Sequence, residues 1–259
     1  MGKIIVIEGT DCSGKETQSK LLKGHLEQNG IKVATFSYPQ YNTPTGKIIG
    51  GPLLGKPSIC PSWFNNYVEV DSKVASLYFP ADRRASLPVL KELINNNEIV
   101  IIDRYIYSNM GHQGSKIEDK EERLKMYKFL ETLEFDLLEL PRPDLVIFLY
   151  LPYSYGEELK KNRVETLDEA EKSQTHQIKS ERTYLELTEL YGFEKIDCFT
   201  NGTVKTREEI NKEVTRQLDD RVRIYEEKLL PALRKNHIIF YQDRHVEPFH
   251  QPFIKEFFR

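Results

Sequence analysis

The stretch "IIVIEGTDCSGK", residues 4–15, decides the fold class of this chain. It begins with four consecutive β-branched residues, which are typical of a strand buried on both faces of a parallel sheet. Gly9 and Gly14 then flank four residues, and Lys15 opens a helix, which is the spacing of a phosphate-binding loop. Glycines let backbone N–H groups turn toward an anion, and the helix N-terminus adds partial positive charge. The stretch therefore predicts a nucleotide phosphate site.

The residue after the loop lysine departs from the usual pattern. Most such loops place serine or threonine there as a Mg²⁺ ligand, whereas this chain has Glu16, and Thr17 comes one position later. A carboxylate is also a hard oxygen ligand, so the loop still fits a metal-bound nucleotide. The loop alone leaves ATPase, GTPase, kinase and adenylating enzyme open.

Further apolar runs alternate with helical patterns along the chain. Strands are predicted at residues 33–36, 98–103, 144–151 and 195–199. The helix that contains Phe79 is expected to kink or break at Pro80, since proline removes a helical hydrogen bond. The alternation predicts an α/β domain with a parallel sheet.

Composition narrows the class of protein. The 259 residues are 39% hydrophobic and 30% charged, with a net charge of −3, which argues against a general nucleic-acid binder. The three cysteines have unrelated spacings, which favours a reducing compartment. No apolar run approaches the ~20 residues that a membrane span needs, and the first is too short for a signal peptide. We therefore expect a cytoplasmic protein that does not bind membranes.

A second carboxylate ends the strand "VIID", residues 100–103. With the preceding residue, Ile99, there are four apolar positions before Asp103. This pattern is the one that holds Mg²⁺ or its water in nucleotide-binding folds. Arg104 follows at once, where a guanidinium would stabilise charge that develops during phosphoryl transfer. The alternative is an ordinary Asp–Arg pair on the surface.

Residues 156–178 differ from the rest of the chain because they are polar, highly charged and short of apolar periodicity. Such a stretch is either a solvated helical face or a mobile flap.

Six segments together resemble thymidylate kinases over residues 3–219. They are "IEGTDCSGK" (7–15), "YPQYNTPTGKII" (38–49), "LYFPADRR" (77–84), "DRYIYSNMGHQG" (103–114), "RPDLVIFLYL" (142–151) and "RTYLEL" (182–187). The resemblance implies a five-stranded parallel sheet flanked by helices, with a lid at about residues 156–178 and usually a homodimer. It places the kinase-like domain at residues 1–219. Residues 220–259 extend beyond it, and we expect them to pack on the domain or on a partner.

The activity implied by the resemblance is phosphorylation of dTMP to dTDP, with ATP as donor and Mg²⁺ as cofactor. One alternative is a related kinase for another deoxynucleotide or for a deoxynucleoside. Another is a catalytically weak homologue that binds nucleotides without turnover.

Together with the loop and strand motifs, the resemblance gives sets of expected site residues. Contacts with ATP are expected from Gly9, Thr10, Asp11, Cys12, Ser13, Gly14, Lys15, Glu16 and Thr17. Contacts with the acceptor nucleotide are expected from Asp11, Tyr41, Phe79, Arg83, Arg104, Ser108, Asn109, His112 and Gln113. The expected catalytic residues are Lys15, Asp103, Arg104 and Arg163, and the expected magnesium ligands are Asp103, Glu16 and Asp11.

Individual roles follow from the same resemblance. Phe79 stacks on the thymine ring, since a flat aromatic side chain suits a flat base. Arg83 bonds the carbonyl edge of the base, and Asn109 reads the base because an amide both donates and accepts. Tyr41 binds the acceptor phosphate, and Arg104 bridges the two phosphates.

Three departures from the family pattern carry consequences. Cys12 stands where some members have a loop arginine, so the arginine finger is expected from the lid as Arg163, with Arg182 as the alternate. Gln40 or Tyr41 stands where many members carry an arginine on the acceptor phosphate. A third departure is His112, which replaces a tyrosine that often crowds the ribose 2′ carbon, so looser discrimination against ribonucleotides is expected.

Overall fold

The computed structural model describes residues 2–160 and 168–224, with side chains only up to residue 219 in the last helix. One five-stranded sheet dominates it, in the order β2-β3-β1-β4-β5, and every neighbouring pair is parallel. Its strands are β1 (Lys3–Gly9), β2 (Val33–Ser37), β3 (Ile99–Asp103), β4 (Leu145–Tyr150) and β5 (Glu194–Asp197). The predicted α/β fold with a parallel sheet is confirmed.

Helices cover both faces of the sheet. They are α1 (Lys15–Gln28), α2 (Pro44–Ile48), α3 (Ser72–Asn96), α4 (Ile106–Gly114), α5 (Lys120–Glu131), α6 (Tyr153–Lys160), α7 (Glu169–Lys172), α8 (Gln174–Tyr191) and α9 (Arg207–Ile224). Two π-helical turns (Ile49–Leu53 and Thr132–Leu137) and one 3₁₀ turn (Tyr67–Glu69) complete the helical structure. A short hairpin, β6 (Phe199–Thr200) and β7 (Thr203–Val204), precedes α9. No helix in the described ranges combines the length and apolar character needed to cross a membrane.

The central strand β1 divides the hydrophobic core into two layers. Ile4 and Val6 point into one layer, whereas Ile5 and Ile7 point into the other, because successive strand residues face opposite sides of a sheet. All four are buried. This explains why the strand is an uninterrupted apolar run rather than an alternating one.

The sheet register brings the two predicted phosphate motifs together. Ile7 pairs with Asp103 on β3, and Gly9 pairs with Leu149 on β4, so the phosphate loop and Arg104 leave the sheet at the same edge. In open α/β sheets, ligands bind outside this carboxyl edge. The fold thus places the candidate site here.

A kink or break was expected at Pro80. The helix does not break there, because α3 continues from Ser72 to Asn96. A proline nitrogen cannot donate to the carbonyl group four residues earlier, which belongs to Ser76. That carbonyl accepts a hydrogen bond from Asn109 Nδ2 at 2.9 Å instead. Because the freed acceptor has another donor, the helix tolerates the proline.

Two other segments differ from expectation. The fifth strand ends at Asp197, and Phe199 belongs to the separate hairpin rather than to the sheet. Within 156–178, Ala170 packs in a third apolar cluster with Leu53 and Tyr67, whereas Glu157, Glu158 and Lys172 are exposed, so the described part of this segment has one buried and one solvated side. Residues 161–167 of the expected lid and residues 225–259 of the expected extension lie outside the described residues.

A buried ion pair joins α3 to the turn after α5. The Nε and Nη2 atoms of Arg83 both donate to the Glu134 carboxylate, with Nη2 at 2.7 Å, and both side chains are almost fully buried. Arg83 therefore ties α3 to this turn, and both pack in the same layer of the core.

Replacing Glu134 with glutamine should leave the Arg83 guanidinium buried without an opposite charge. We expect the free energy of unfolding, measured in urea at pH 7, to fall by about 3–5 kcal/mol. The matched control is Glu139→Gln, which removes the exposed partner of Arg84 at 3.6 Å and should cost less than about 1 kcal/mol. Equal, small losses for both variants would contradict a structural role for the buried pair.

Candidate active site

The phosphate loop is shaped by left-handed backbone at Gly14 (φ 85°) and Cys12 (φ 61°). Lys15 lies across this loop, and its Nζ donates to the carbonyl oxygens of Gly9 at 3.0 Å and Thr10 at 2.9 Å. Burial, reinforced by the nearby Arg104 guanidinium, lowers the pKa of Lys15 to about 8. The ammonium group is thus held in the loop, where a phosphate would stabilise its charge.

Close contacts fix the loop against the end of β4. Thr10 Oγ1 donates to the carbonyl oxygen of Leu151 at 2.7 Å and accepts from its N–H at 2.9 Å. A Cβ at Gly9 would approach the carbonyl oxygen of Leu149 to 2.8 Å, so glycine is required there. Ser13 Oγ is buried and has no hydrogen-bond partner among the described residues. The loop is rigid at its base and offers an unused hydroxyl.

Asp103 and Arg104 lie beside the loop, as predicted. Arg104 has left-handed backbone (φ 64°), and its Nη2 lies 3.6 Å from Asp11 Oδ1. Asp103 Oδ1 is buried without a hydrogen-bond partner in the described part of the chain, and burial raises the pKa of this carboxyl. An unpaired carboxylate oxygen beside a phosphate loop fits a metal ion or its bound water.

Glu8 is a site residue that the sequence analysis missed. It is fully buried, and its carboxylate accepts from the backbone N–H groups of Tyr105 (2.8 Å) and Ser108 (3.0 Å), from Ser108 Oγ (2.7 Å) and from the Tyr184 hydroxyl (3.4 Å). Burial raises the pKa of Glu8, while these hydrogen bonds and the charge of Arg104 act to lower it. In the sequence, the only sign of this residue is that one acidic residue directly follows the apolar run in "IIVIEG".

The other two expected metal ligands, Glu16 and Asp11, form ion pairs with lysine or arginine side chains. Glu16 is exposed and forms an ion pair with Lys20 at 2.6 Å. Burial acts to raise the pKa of Asp11, but the charges of Lys15 and Arg104 outweigh it and hold this pKa well below its usual range. Within the described ranges, no three carboxylate, histidine or cysteine side chains form a metal site by themselves. Asp103 is therefore the residue that best fits a metal.

One cavity of about 660 Å³ joins the loop side to the acceptor side. The expected residues on its wall are Asp11, Glu16, Tyr41, Phe79, Arg83, Asp103, Arg104, Ser108, Asn109 and His112. Gln113 is fully buried behind this wall, where its amide donates to the Tyr67 hydroxyl at 2.9 Å. Expected residues from four separate segments of the chain thus meet in a single cleft.

On the acceptor side, the cavity wall carries the ring of Phe79 and the amide of Asn109. Phe79 is half-buried in the wall, and Asn109 is held by its bond to Ser76. Asn109 Oδ1 is buried and has no partner within the described ranges, so it remains available as an acceptor. Arg83 uses Nε and Nη2 on Glu134, and its Nη1 donates a long hydrogen bond to the carbonyl oxygen of Tyr105 at 3.4 Å, which leaves the second N–H of Nη1 for a ligand. This arrangement suits a flat, polar ring.

A pair of histidines closes the side of the cleft nearest α8. His112 Nδ1 lies 3.2 Å from His176 Nε2, with the two rings stacked at 5.5 Å, and His176 Nδ1 lies 3.1 Å from Ser115 Oγ. Burial and mutual repulsion lower the pKa of His112 to about 3, and burial lowers that of His176 to about 4. Both rings are neutral at pH 7. No sequence motif pointed to His176.

From the described part of the expected lid, Lys160 reaches the phosphate loop, and its Nζ lies 3.4 Å from Asp11 Oδ2. The predicted arginine finger, Arg163, lies outside the described residues. Its alternate, Arg182, pairs with Glu118 at 3.3 Å and does not line the cavity.

Comparison with known proteins gives the same family. The thymidylate kinase family model matches residues 7–214. The probable thymidylate kinase of Methanocaldococcus jannaschii is 34% identical over 210 residues, which cover 81% of this chain and 92% of that protein. Human thymidylate kinase is 29% identical over 150 residues, which cover 58% of this chain and 61% of that protein.

Solved structures agree in fold. The thymidylate kinase structure from Candida albicans superposes with a TM-score of 0.65 at 26% identity, covering 85% of this chain and 92% of that one. The family model spans most of the chain and its span contains the phosphate loop, Asp103–Arg104 and the Phe79 wall. The chain therefore belongs to the thymidylate kinase family of phosphotransferases.

Proposed function

We propose that this protein transfers the γ-phosphoryl group of ATP to dTMP with the help of Mg²⁺. One observation carries the proposal. The 660 Å³ cavity brings Asp103 and Arg104, which adjoin the phosphate loop, together with the ring of Phe79 and the amide of Asn109. A donor phosphate and a base-carrying acceptor therefore fit within one enclosure.

The donor side holds ATP through the loop residues 9–17. Lys15 exchanges its two carbonyl partners for phosphate oxygens, and the left-handed turn at Gly14 exposes backbone N–H groups. When bound, Mg²⁺ neutralises charge on the β- and γ-phosphates. Asp103 would hold it, because magnesium usually takes one or two carboxylates together with substrate phosphates and water.

The acceptor needs no general base. The second pKa of a phosphate monoester is about 6, so at pH 7 the acceptor is mostly a dianion. The chemical task is to hold two anions in line, and two unit charges 4 Å apart repel by about 4 kcal/mol at an effective dielectric of 20. Lys15 and Arg104 offset this repulsion. Arg163 remains our candidate for a further lid cation.

Selection of the base falls to the other end of the cavity. Phe79 stacks on the ring, and Asn109 Oδ1 accepts from the imide N–H of thymine, since this oxygen is buried without another donor in the described part of the chain. Arg83 Nη1 faces a base carbonyl. His112 lies on the same wall and borders the sugar.

We further propose a cytoplasmic homodimer. Val74, Leu77 and Val89 are about half exposed along α3, which supports a partner on that face. Cys60 and Cys198 are free thiols, as in proteins of reducing compartments.

A coupled assay with ATP and Mg²⁺ over dTMP, dUMP, dCMP, dGMP and thymidine tests the proposed function. We expect the highest kcat/KM with dTMP, and at least about a 100-fold loss of kcat in Arg104→Met, because a preorganised cation at the transferred group is removed. Arg84→Met is the matched control, since Arg84 is exposed, and it should keep full activity. A different best acceptor would replace dTMP in the proposal, and binding without turnover of any acceptor would indicate a sensor.

Phe79→Ala should weaken the binding of dTMP but not the binding of ATP. Loss of stacking is worth about 1–3 kcal/mol per base, so the KM for dTMP should rise roughly tenfold or more while the KM for ATP stays within twofold. Trp63→Ala, which removes an 81% exposed ring away from the cavity wall, serves as control. Equal losses for dTMP and ATP would remove Phe79 from the base pocket.

A further inference from the structure

The described part of the cavity wall contains one lysine or arginine that forms no ion pair with a carboxylate. The lining cations in the part of the chain that the structure describes are Lys20, Lys56, Arg83 and Arg104. Three of them form ion pairs, namely Lys20–Glu16, Arg83–Glu134 and Arg104–Asp11. Among these four, Lys56 alone has no carboxylate oxygen within ion-pairing distance. A half-buried ammonium that forms no ion pair on a cavity wall is free to bind an anion that enters the cavity.

The backbone around Lys56 is fixed. Gly55 adopts left-handed φ (63°), the Lys56 N–H donates to the carbonyl oxygen of Gly50 at 2.7 Å, and the Lys56 carbonyl oxygen accepts from Ile59 at 2.9 Å. The Gly55 N–H also bonds Gly51 at 2.7 Å. These hydrogen bonds fix the backbone of the turn that carries the Lys56 side chain.

Tyr41 lies between Lys56 and the phosphoryl-transfer region. Lys56 Nζ is 4.7 Å from the centre of the Tyr41 ring, and both line the cavity. Burial and Asp168 raise the pKa of Tyr41, whereas the charge of Arg104 acts to lower it, so this phenol feels Arg104 as well. An anion that accepts a hydrogen bond from the Tyr41 hydroxyl would therefore be within the electrostatic reach of both cations.

The nearby glutamine does not supply the missing contact. Gln40 Nε2 donates to the carbonyl oxygen of Ser37, and its backbone N–H donates to Asp82 at 2.8 Å. Its amide is engaged at the end of β2. Lys56 comes from the turn after the π-helical segment Ile49–Leu53 and reaches the cavity from another side.

We propose that Lys56 binds the phosphate group of the acceptor nucleotide, with Arg104 as the second cation on that group. The assignment rests on the proposed function and adds a substrate-binding residue to it. Lysine acts here as a point charge, which needs less exact geometry than a bidentate arginine. The acceptor phosphate is then held by one cation that directly follows β3 and one from the turn at residues 55–56.

A purely structural role for Lys56 makes a different prediction. Its ammonium also interacts with Asp168 at the N-terminus of α7, where burial raises the pKa of Asp168 to about 6 and Lys56 acts to lower it. If Lys56 only stabilised the positions of Tyr41 and α7, its loss would lower the affinity for every acceptor ligand by the same factor. If it binds phosphate, only ligands that carry the phosphate lose affinity.

The experiment compares dTMP with thymidine, which lacks the phosphate. We expect Lys56→Met to raise the KM for dTMP about tenfold or more, while the inhibition constant of thymidine and the KM for ATP stay within twofold. Lys56→Arg should recover most of the dTMP affinity. Lys47→Met, which removes an exposed lysine of α2 outside the cavity wall, is the matched control and should change none of these values. Thermal unfolding of each variant confirms that it is folded.

Equal loss for dTMP and thymidine in Lys56→Met, or no loss for either, would overturn the proposal. Failure of the proposed function looks different, because the wild-type protein itself would then not use dTMP. If the wild type prefers another nucleoside monophosphate, the same nucleotide–nucleoside contrast with that acceptor decides the role of Lys56. Wild-type protein that binds no nucleoside monophosphate would overturn both.

Discussion

The candidate site depends on one buried carboxylate. Glu8 ends the apolar part of β1 and accepts hydrogen bonds from the first turn of α4 and from α8, so it ties three elements together at the edge of the sheet. It also supplies negative charge close to Arg104, whose left-handed backbone directs the side chain toward the phosphate loop. A buried acid of this kind is stable only because several donors surround it. Because Glu8 binds the N–H of Tyr105, which directly follows Arg104 in the chain, we expect it to act on the reaction through the position of Arg104.

In the structure, the charged side chains of the cleft are bound to protein groups that a nucleotide can replace. Lys15 is bound to loop carbonyls, and Asp11 lies at long ion-pair distances of 3.6 Å from Arg104 and 3.4 Å from Lys160. Phosphate oxygens offer stronger, charge-assisted bonds to the same cations. The cations are therefore already in place before substrates bind, which is what electrostatic stabilisation of phosphoryl transfer requires.

The sequence predicted those parts of the molecule that follow from local patterns. The strands, the phosphate loop and the Asp103–Arg104 dipeptide are readable because each is a short, contiguous signal. Glu134 and His176 were missed because the residues they contact lie 51 and 64 positions away in the chain. The break predicted at Pro80 was wrong because Asn109, from another helix, bonds the carbonyl group that the proline leaves free. Lys56 lies in a turn without periodicity, so only the fold reveals that it faces the cavity.

A double-mutant cycle on Glu8 and Arg104 tests the central claim most directly. If Glu8 acts through Arg104, Glu8→Gln should lower kcat about tenfold or more in a folded protein with little change in the KM for ATP, and adding it to Arg104→Met should cause no further loss. The steady-state kcat of the four proteins with dTMP and ATP is the measurement. Fully additive losses in the double variant, or unchanged kcat in Glu8→Gln, would contradict the account.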